Sequence, residues 1–234
     1  MNIINQDKTK LVNSVFTKVH KNYDLMNDLM SFGIHRIWKR NLINWMNPQP
    51  GSQIVDVAAG TGDLAKMISK KNTNKDIFCC VEPNKEMFET GKKRLKSHTN
   101  IKWYLNSAEN LPFKDNTFDF YTISYGIRNV TDINLCLKEA FRVLKTGGRF
   151  MCLEFSKVEN EILQKIYNQY SKAIPFIGKY VIGNAMPYNY LVDSIEQFYD
   201  QKELLQIIGK NGFSNFEYRN LSNGIAAIHS AWKI

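Results

Sequence analysis

The spacing of apolar and polar positions changes character several times along the chain. Residues 1–46 read as helices with a basic, aromatic-studded surface, over about Lys8 to His20, Tyr23 to Met30 and His35 to Met46, and Asn47, Pro48 and Pro50 bring them to an end. The next hundred residues alternate in kind. QIVDVA at 53–58, DIFCCVE at 76–82, IKWYLN at 101–106 and FDFYTIS at 118–124 predict strands, and helices are predicted at 63–70 and 84–96. A helix capped by Thr131 or Asp132 carries Leu135, Leu137, Ala140, Phe141 and Leu144, and stops at Thr146, Gly147 and Gly148 before a fifth strand, RFMCLEF at 149–155.

Five strands with helices between them predict a mostly parallel sheet covered on both faces. Residues 156–200 interrupt the alternation with helical sequence bent at Pro175, Gly178, Gly183 and Pro187. A helix follows over Gln201 to Lys210, where Asp200 and Glu203 have capping-box spacing. NFEYRNL at 215–221 and IAAIHSAW at 225–232, separated by Ser222, Asn223 and Gly224, predict an antiparallel hairpin appended to the sheet. With no internal repeat or low-complexity linker, the chain reads as one α/β domain. Its parts are a helical cap at 1–50, a core at 51–155, a helical insertion at 156–200 and a closing helix and hairpin at 201–234.

Composition agrees with one soluble globular domain. A chain of 234 residues can bury roughly 70% of its unfolded surface, and 44% hydrophobic with 23% charged residues suits neither disorder nor a membrane bundle. Cys79, Cys80, Cys136 and Cys152 form no C-x-x-C pair and read as small core hydrophobes. The amino terminus has no uninterrupted apolar h-region, and no run of eighteen apolar residues occurs, so a reducing, cytoplasmic-type compartment is expected. The net charge of +9 is compatible with nucleic acid, anionic lipid, an anionic substrate or a solvated surface. It is uneven: residues 1–46 carry seven basic against three acidic residues, while 156–200 carry four against five.

The strongest local chemistry is VDVAAGTGDLA, Val55 to Ala65, where an apolar strand ends in a small-residue turn that opens a helix. Asp56, Ala59, Gly60, Thr61 and Gly62 are its candidate ligand residues. The glycines admit a ligand to the backbone, and the helix start offers N–H groups. Ala58 stands where G-x-G-x-x-G would place its first glycine and no G-K-[ST] follows, so the turn departs from both the dinucleotide and the nucleoside triphosphate patterns. Glu82 closes the second strand twenty residues after Gly62, where a carboxylate can accept both hydroxyls of a ribose. Ser107, Ala108 and Glu109 close the third strand beside a prospective adenine edge. SYGIRN, Ser124 to Asn129, closes the fourth with an Arg and an Asn that a buried strand end tolerates only against solvent or a polar cleft.

Elsewhere the ordinary explanations compete. In DLMNDLMSFGIHRIW, His35 reads as a packing or hydrogen-bonding residue rather than a base, and Met26 and Met30 as packing. His20, His98 and His229 have no metal-site context, and no serine lies in G-x-S-x-G, so neither a metal centre nor a hydrolase elbow is expected. Trp38, Trp45, Tyr180, Tyr188, Tyr190, Phe198 and Tyr199 either line an apolar substrate cavity or belong to the core.

YDLMNDLMSFGIHRIWKR at 23–40, DVAAGTGDLA at 56–65, AENLPFKDNTFD at 108–119, TISYGIRNVTD at 122–132 and RVLKTGGRFMCLEFSK at 142–157 occur in an order that resembles the ubiquinone and menaquinone biosynthesis C-methyltransferases, within the class I S-adenosylmethionine-dependent methyltransferases. The resemblance extends from about Asn13 to Ile234. It implies a Rossmann-like, seven-stranded, mostly parallel sheet with one strand reversed near the end. It also implies transfer of a methyl group to a ring carbon of a polyprenylated quinol, 2-methoxy-6-polyprenyl-1,4-benzoquinol, demethylmenaquinol or both. Cofactor positions carry over onto Thr61, Glu82, Ser107, Ala108 and Ser124. Glu82, Ser107, Ala59 and Thr146 stand where the family commonly has Asp, Asn, Gly and Pro.

Tyr23, Arg128 and Asn129 match the family positions that face the quinol. The resemblance therefore implies that Arg128 orients the developing phenolate or an activating water, Asn129 fixes the hydroxyl, and Tyr23 closes the site and shares a proton. No metal is needed. A prenyl tail implies an apolar channel or transient membrane contact, and Lys18, Lys39 and Arg40 either meet anionic lipid there or serve solubility alone. A homodimer or a quinone-biosynthesis complex also fits. A methyltransferase for a small soluble substrate would share this cofactor edge. A nucleic-acid methyltransferase would use the positive charge, but YGIRN in place of an N-P-P-Y-type loop and the lack of a long Lys/Arg tract argue against it.

Overall fold

The computed structural model describes residues 3–19, 27–28, 31, 33–69, 77–182 and 185–234. Most of the predicted helix at 23–30, including Tyr23, lies outside them. The described elements are α1 (Ile3–Val19), α2 (His35–Met46), β1 (Gln53–Val57), α3 (Asp63–Ser69), β2 (Ile77–Val81), α4 (Lys85–Arg94), β3 (Ile101–Tyr104), β4 (Phe118–Ser124), a 3-10 turn (Ile127–Asn129), α5 (Ile133–Val143), β5 (Leu144–Phe155), α6 (Glu161–Ile182), α7 (Met186–Glu196), α8 (Gln201–Lys210), β6 (Ser214–Leu221) and β7 (Ala226–Trp232).

The seven strands form one sheet in the order β3-β2-β1-β4-β5-β7-β6. The first five are parallel, and β7 runs antiparallel between β5 and β6. Burial on both faces explains the unbroken apolar runs. Strand side chains alternate between two cores. Ile54, Phe78, Cys80, Met151 and Leu153 join α2, α3 and α7 on one face. Val55, Cys79, Val81, Phe150 and Cys152 join α5 and α8 on the other. The adjacent Cys79 and Cys80 thus serve opposite cores, and all four cysteines are buried free thiols.

Capping settles several boundaries. Asp132, not Thr131, accepts the backbone N–H groups of Asn134 and Leu135 at the start of α5. Asp200 and Glu203 form the reciprocal capping box of α8. The helix expected to reach Thr146 ends instead at Val143, and β5 begins at Leu144. There β5 takes extra residues against β4, between the pairs Phe118–Leu144 and Phe120–Arg149; Gly147, at φ +78°, supplies a backbone conformation that this bulge needs. Pro175 lies inside α6.

Gly91 of α4 faces Trp103 of β3 so closely that an added Cβ would overlap the indole ring. Glycine to alanine in an open helix stabilises by about 1 kcal/mol. Here Gly91→Ala is expected to destabilise by about 1–3 kcal/mol through overpacking, measured by urea denaturation; a gain in stability would contradict this packing.

Candidate active site

Strand order reverses between β1 and β4, whose carboxyl ends diverge as the chain leaves β1 for α3 and β4 for the 3-10 turn. Parallel sheets bind ligands at such a point. Both walls of the opening hold strained backbone: Ala58 after β1 and Tyr125 after β4 are left-handed, with φ of +53° and +58°. Non-glycine residues occupy that region at a cost that the surrounding packing must offset. The walls touch. A Cβ on Gly126 would stand 2.5 Å from that of Ala58, so only glycine fits there.

Glu82 reaches from the end of β2 to the glycine turn. Its Oε2 accepts the N–H of Gly60 at 2.8 Å and its Oε1 accepts that of Asn84 at 2.9 Å. The carboxylate is 6% exposed, and burial pushes its pKa up to about 7 against the pull of those two donors. Asp56 in β1 is 2% exposed and accepts the Thr122 hydroxyl at 2.8 Å. Burial raises it also to about 7, while Thr122 and Lys39 pull it down.

The crevice between these walls is lined by Ala58, Gly60, Glu82, Ser107, Ala108, Gly126 and Asn129, among others. Helix α1 closes it with Thr9, Val12, Asn13 and Phe16. Lys8 donates to the Val130 carbonyl at 2.7 Å, and the Asn84 side chain donates to Thr17 at 3.0 Å, so the helix is fastened at both sides of the opening. Asp56, Ala59, Thr61 and Ser124 border an adjoining chamber with Lys39, whose ammonium is paired with Asp63 at 2.7 Å. Gly62 faces elsewhere, against Leu95 and Trp103 at φ +78°, so its missing side chain serves packing. Glu109 accepts the Thr131 N–H at 2.6 Å and so holds the entry to α5.

The two polar residues of the turn after β4 diverge. Asn129 lines the crevice, whereas Arg128 lines a neighbouring groove with Tyr190, Ser194 and Phe198. The Arg128 guanidinium donates to Glu154 and to the Tyr125 carbonyl, both at 2.7 Å. The Asn129 amide donates to the same carbonyl at 3.3 Å and accepts the Tyr190 hydroxyl at 2.8 Å. The strained peptide at Tyr125 is therefore held by the residues that follow it.

His35 is buried, with Nδ1 3.0 Å from the Ser31 hydroxyl, in the packing role expected of it. Trp38 and Tyr188 are core residues, and Trp38 donates to Ser222. Trp45 stacks under Arg219. Of the aromatic set, Tyr190, Phe198 and Tyr199 line the groove beside Arg128. Sequence reasoning passed over Asn84, although an Asn three residues before Met87 has N-cap spacing, and its side chain does accept the Met87 N–H. It also passed over Glu154, an acid within the apolar run RFMCLEF.

A family model described as the ubiE/COQ5 methyltransferase family matches residues 2–233. The ubiquinone/menaquinone biosynthesis C-methyltransferase UbiE of Rickettsia bellii (strain OSU 85-389) is 50% identical over 97% of this chain and 94% of its own. The protein of the same name from Brucella suis biovar 1 (strain 1330) is 47% identical over 97% of this chain and 87% of its own. Among solved structures, a SAM-dependent methyltransferase of Thermotoga maritima, a possible histamine N-methyltransferase, superposes with a TM-score of 0.64 at 22% identity. It covers 94% of this chain and 100% of that one, and shares the fold. The resemblance in the motifs thus holds from one end of the sheet to the other, and the chain belongs to the ubiE/COQ5 methyltransferase family.

Proposed function

We propose that this protein is an S-adenosylmethionine-dependent C-methyltransferase that methylates a ring carbon of a polyprenylated quinol, 2-methoxy-6-polyprenyl-1,4-benzoquinol, demethylmenaquinol or both. The observation that carries the reading is 50% identity, sustained over 97% of the chain, to a relative named for that biosynthesis. The lining of the crevice fits the cofactor: small residues border it, and the buried carboxylate of Glu82 has acceptor capacity beyond its two backbone donors. Glu82 would hold the ribose, Ser107 and Ala108 the adenine edge, and Gly60 the backbone approach; Asp56, Thr61 and Ser124 would border the amino-acid end. When bound, the cofactor supplies an electrophilic methyl group on a cationic sulfonium, which suits an acidic crevice.

The chain's own contribution is to bring a reduced ring to that methyl and to raise its electron density. Asn129 presents an amide to the crevice for the quinol hydroxyl and the phenolate developing from it. Arg128, through the Tyr125 carbonyl, holds the turn on which Asn129 sits. The quinol is required because the oxidised ring is electron-poor. Among the described residues no helix is long and apolar enough to cross a membrane. A tail of isoprene units favours transient contact with a bilayer, and Ile162 and Ile166, one turn apart on α6 and 72% and 59% exposed, suit such contact.

Incubation with labelled S-adenosylmethionine and reduced demethylated benzoquinol or demethylmenaquinol should yield ring-methylated products by mass spectrometry. Cofactor binding without ring methylation of either quinol would sink the substrate assignment.

A further inference from the structure

Helix α7 sends two side chains, one turn apart, onto the turn that follows β4. Tyr190 donates its hydroxyl to Asn129 Oδ1 at 2.8 Å, and Ser194 accepts the Nε–H of Arg128 at 3.3 Å while donating to the Leu191 carbonyl at 2.9 Å. Tyr190 lies 61 residues beyond Asn129 in the chain and lines the groove rather than the crevice. It does not touch the cofactor crevice itself. Its reach into the site runs through Asn129, which borders that crevice.

The contact fixes which end of the Asn129 amide faces which neighbour. A side-chain amide has a carbonyl with two acceptor sites and an NH2 with two donors. Here the carbonyl is engaged by the Tyr190 hydroxyl and one N–H by the Tyr125 carbonyl. Turning the amide over would set its oxygen against the Tyr125 oxygen, acceptor against acceptor, and would discard the Tyr190 donation. The second N–H is left for an oxygen in the crevice. A donor is what an oxygen gaining negative charge requires, and a donor oriented beforehand needs no reorganisation when that charge develops. Burial raises the Tyr190 pKa, so the hydroxyl remains protonated and able to donate across the neutral range.

We infer that Tyr190 is a positioning residue of the methyl transfer, holding the Asn129 amide with its N–H edge toward the quinol oxygen. The inference rests on the quinol reading above and names how that site is oriented. Tyr190→Phe keeps the ring and removes only the donor. It is expected to lower kcat about tenfold, the size of one hydrogen bond lost in the transition state, with KM for the quinol within about twofold. The S-adenosylhomocysteine Kd by calorimetry and the melting temperature should match the wild type. In an Asn129→Ala background the same change should cost nothing further, because the group it orients is gone. An unchanged kcat, an equal tenfold loss in both backgrounds, or a fall in kcat that tracks a fall in melting temperature would overturn the role. Wild-type enzyme that methylates no quinol would overturn the substrate reading and this role with it, whereas the other failures leave the substrate reading standing.

Discussion

Arg128→Ala is expected to lose activity and also about 3–5 kcal/mol of folding stability, the range for breaking a buried ion pair from one side. The guanidinium side chain is 3% exposed and the Glu154 carboxylate 1%, with 2.7 Å between them. Burial raises the Glu154 pKa and Arg128 is the largest influence holding it down. Removing the cation leaves an acid in the sheet interior with only backbone donors, from Phe155 and more distantly Arg128 itself. It also removes the shorter of the two side-chain hydrogen bonds to the carbonyl of the strained Tyr125, leaving that of Asn129. Loss of turnover in this variant therefore says little about catalysis by itself. Arg128→Met combined with Glu154→Gln removes both charges and keeps an acceptor for the Phe155 N–H, so most of the stability should return. Urea denaturation of the single and double variants reads this directly. A single variant as stable as the wild type would show that the pair does not anchor the turn. A restored but inactive double variant would assign the guanidinium a part in the reaction beyond anchoring.

The second large effect concerns Glu82. Glu82→Gln is expected to weaken cofactor binding by about 10- to 100-fold, since two hydroxyls would exchange a charged acceptor for a neutral one. Affinity should also depend on pH. In the free protein burial holds Glu82 and Asp56 at about 7, and a cationic ligand donating hydroxyls favours their ionised forms. Binding then releases protons, and the Kd should rise about tenfold from pH 8 to pH 6 for one such group. Asp56 remains in the variant, so Glu82→Gln should flatten the profile without abolishing it. Stability of the free protein follows the opposite course. Both pKa values are raised above their unfolded values, so the native state binds the extra protons, and stability falls as pH rises between about 4 and 7. Calorimetry from about pH 4 to pH 8, with and without ligand, measures both trends. A Kd unchanged between pH 6 and pH 8 would mean that these carboxylates are already ionised in the free protein.

The part of the site built from contiguous residues was legible in the sequence. A strand ending in small residues, an acid at the end of the next strand and an Arg-Asn pair after the fourth are local patterns with a fixed place in a parallel sheet. They led to Gly60, Glu82 and Asn129 on one crevice. The same logic overreached at Gly62. Sequence shows a glycine two residues on but not the direction it faces, and Trp103, forty-one positions later, fills the space beside it. The helix exit at Gly147 and Gly148 was misplaced for a related reason, since the β-bulge that absorbs Lys145 to Gly148 exists only against β4.

The sequence by itself determined the α/β order, the two buried faces carried by Cys79 and Cys80, the capped helices and the chemistry available at the strand ends. All of these follow from periodicity, caps and backbone preference within a few residues. Only the tertiary structure decided that Arg128 turns to Glu154 and away from the crevice, that Tyr190 and not Tyr188 reaches the site, and that Lys8 of the cap fastens to the Val130 carbonyl. Those choices depend on partners 26 to 122 residues away in the chain. Which partner a buried donor finds is set by the packing of whole elements, because each must be satisfied once water is excluded and no local pattern encodes by whom.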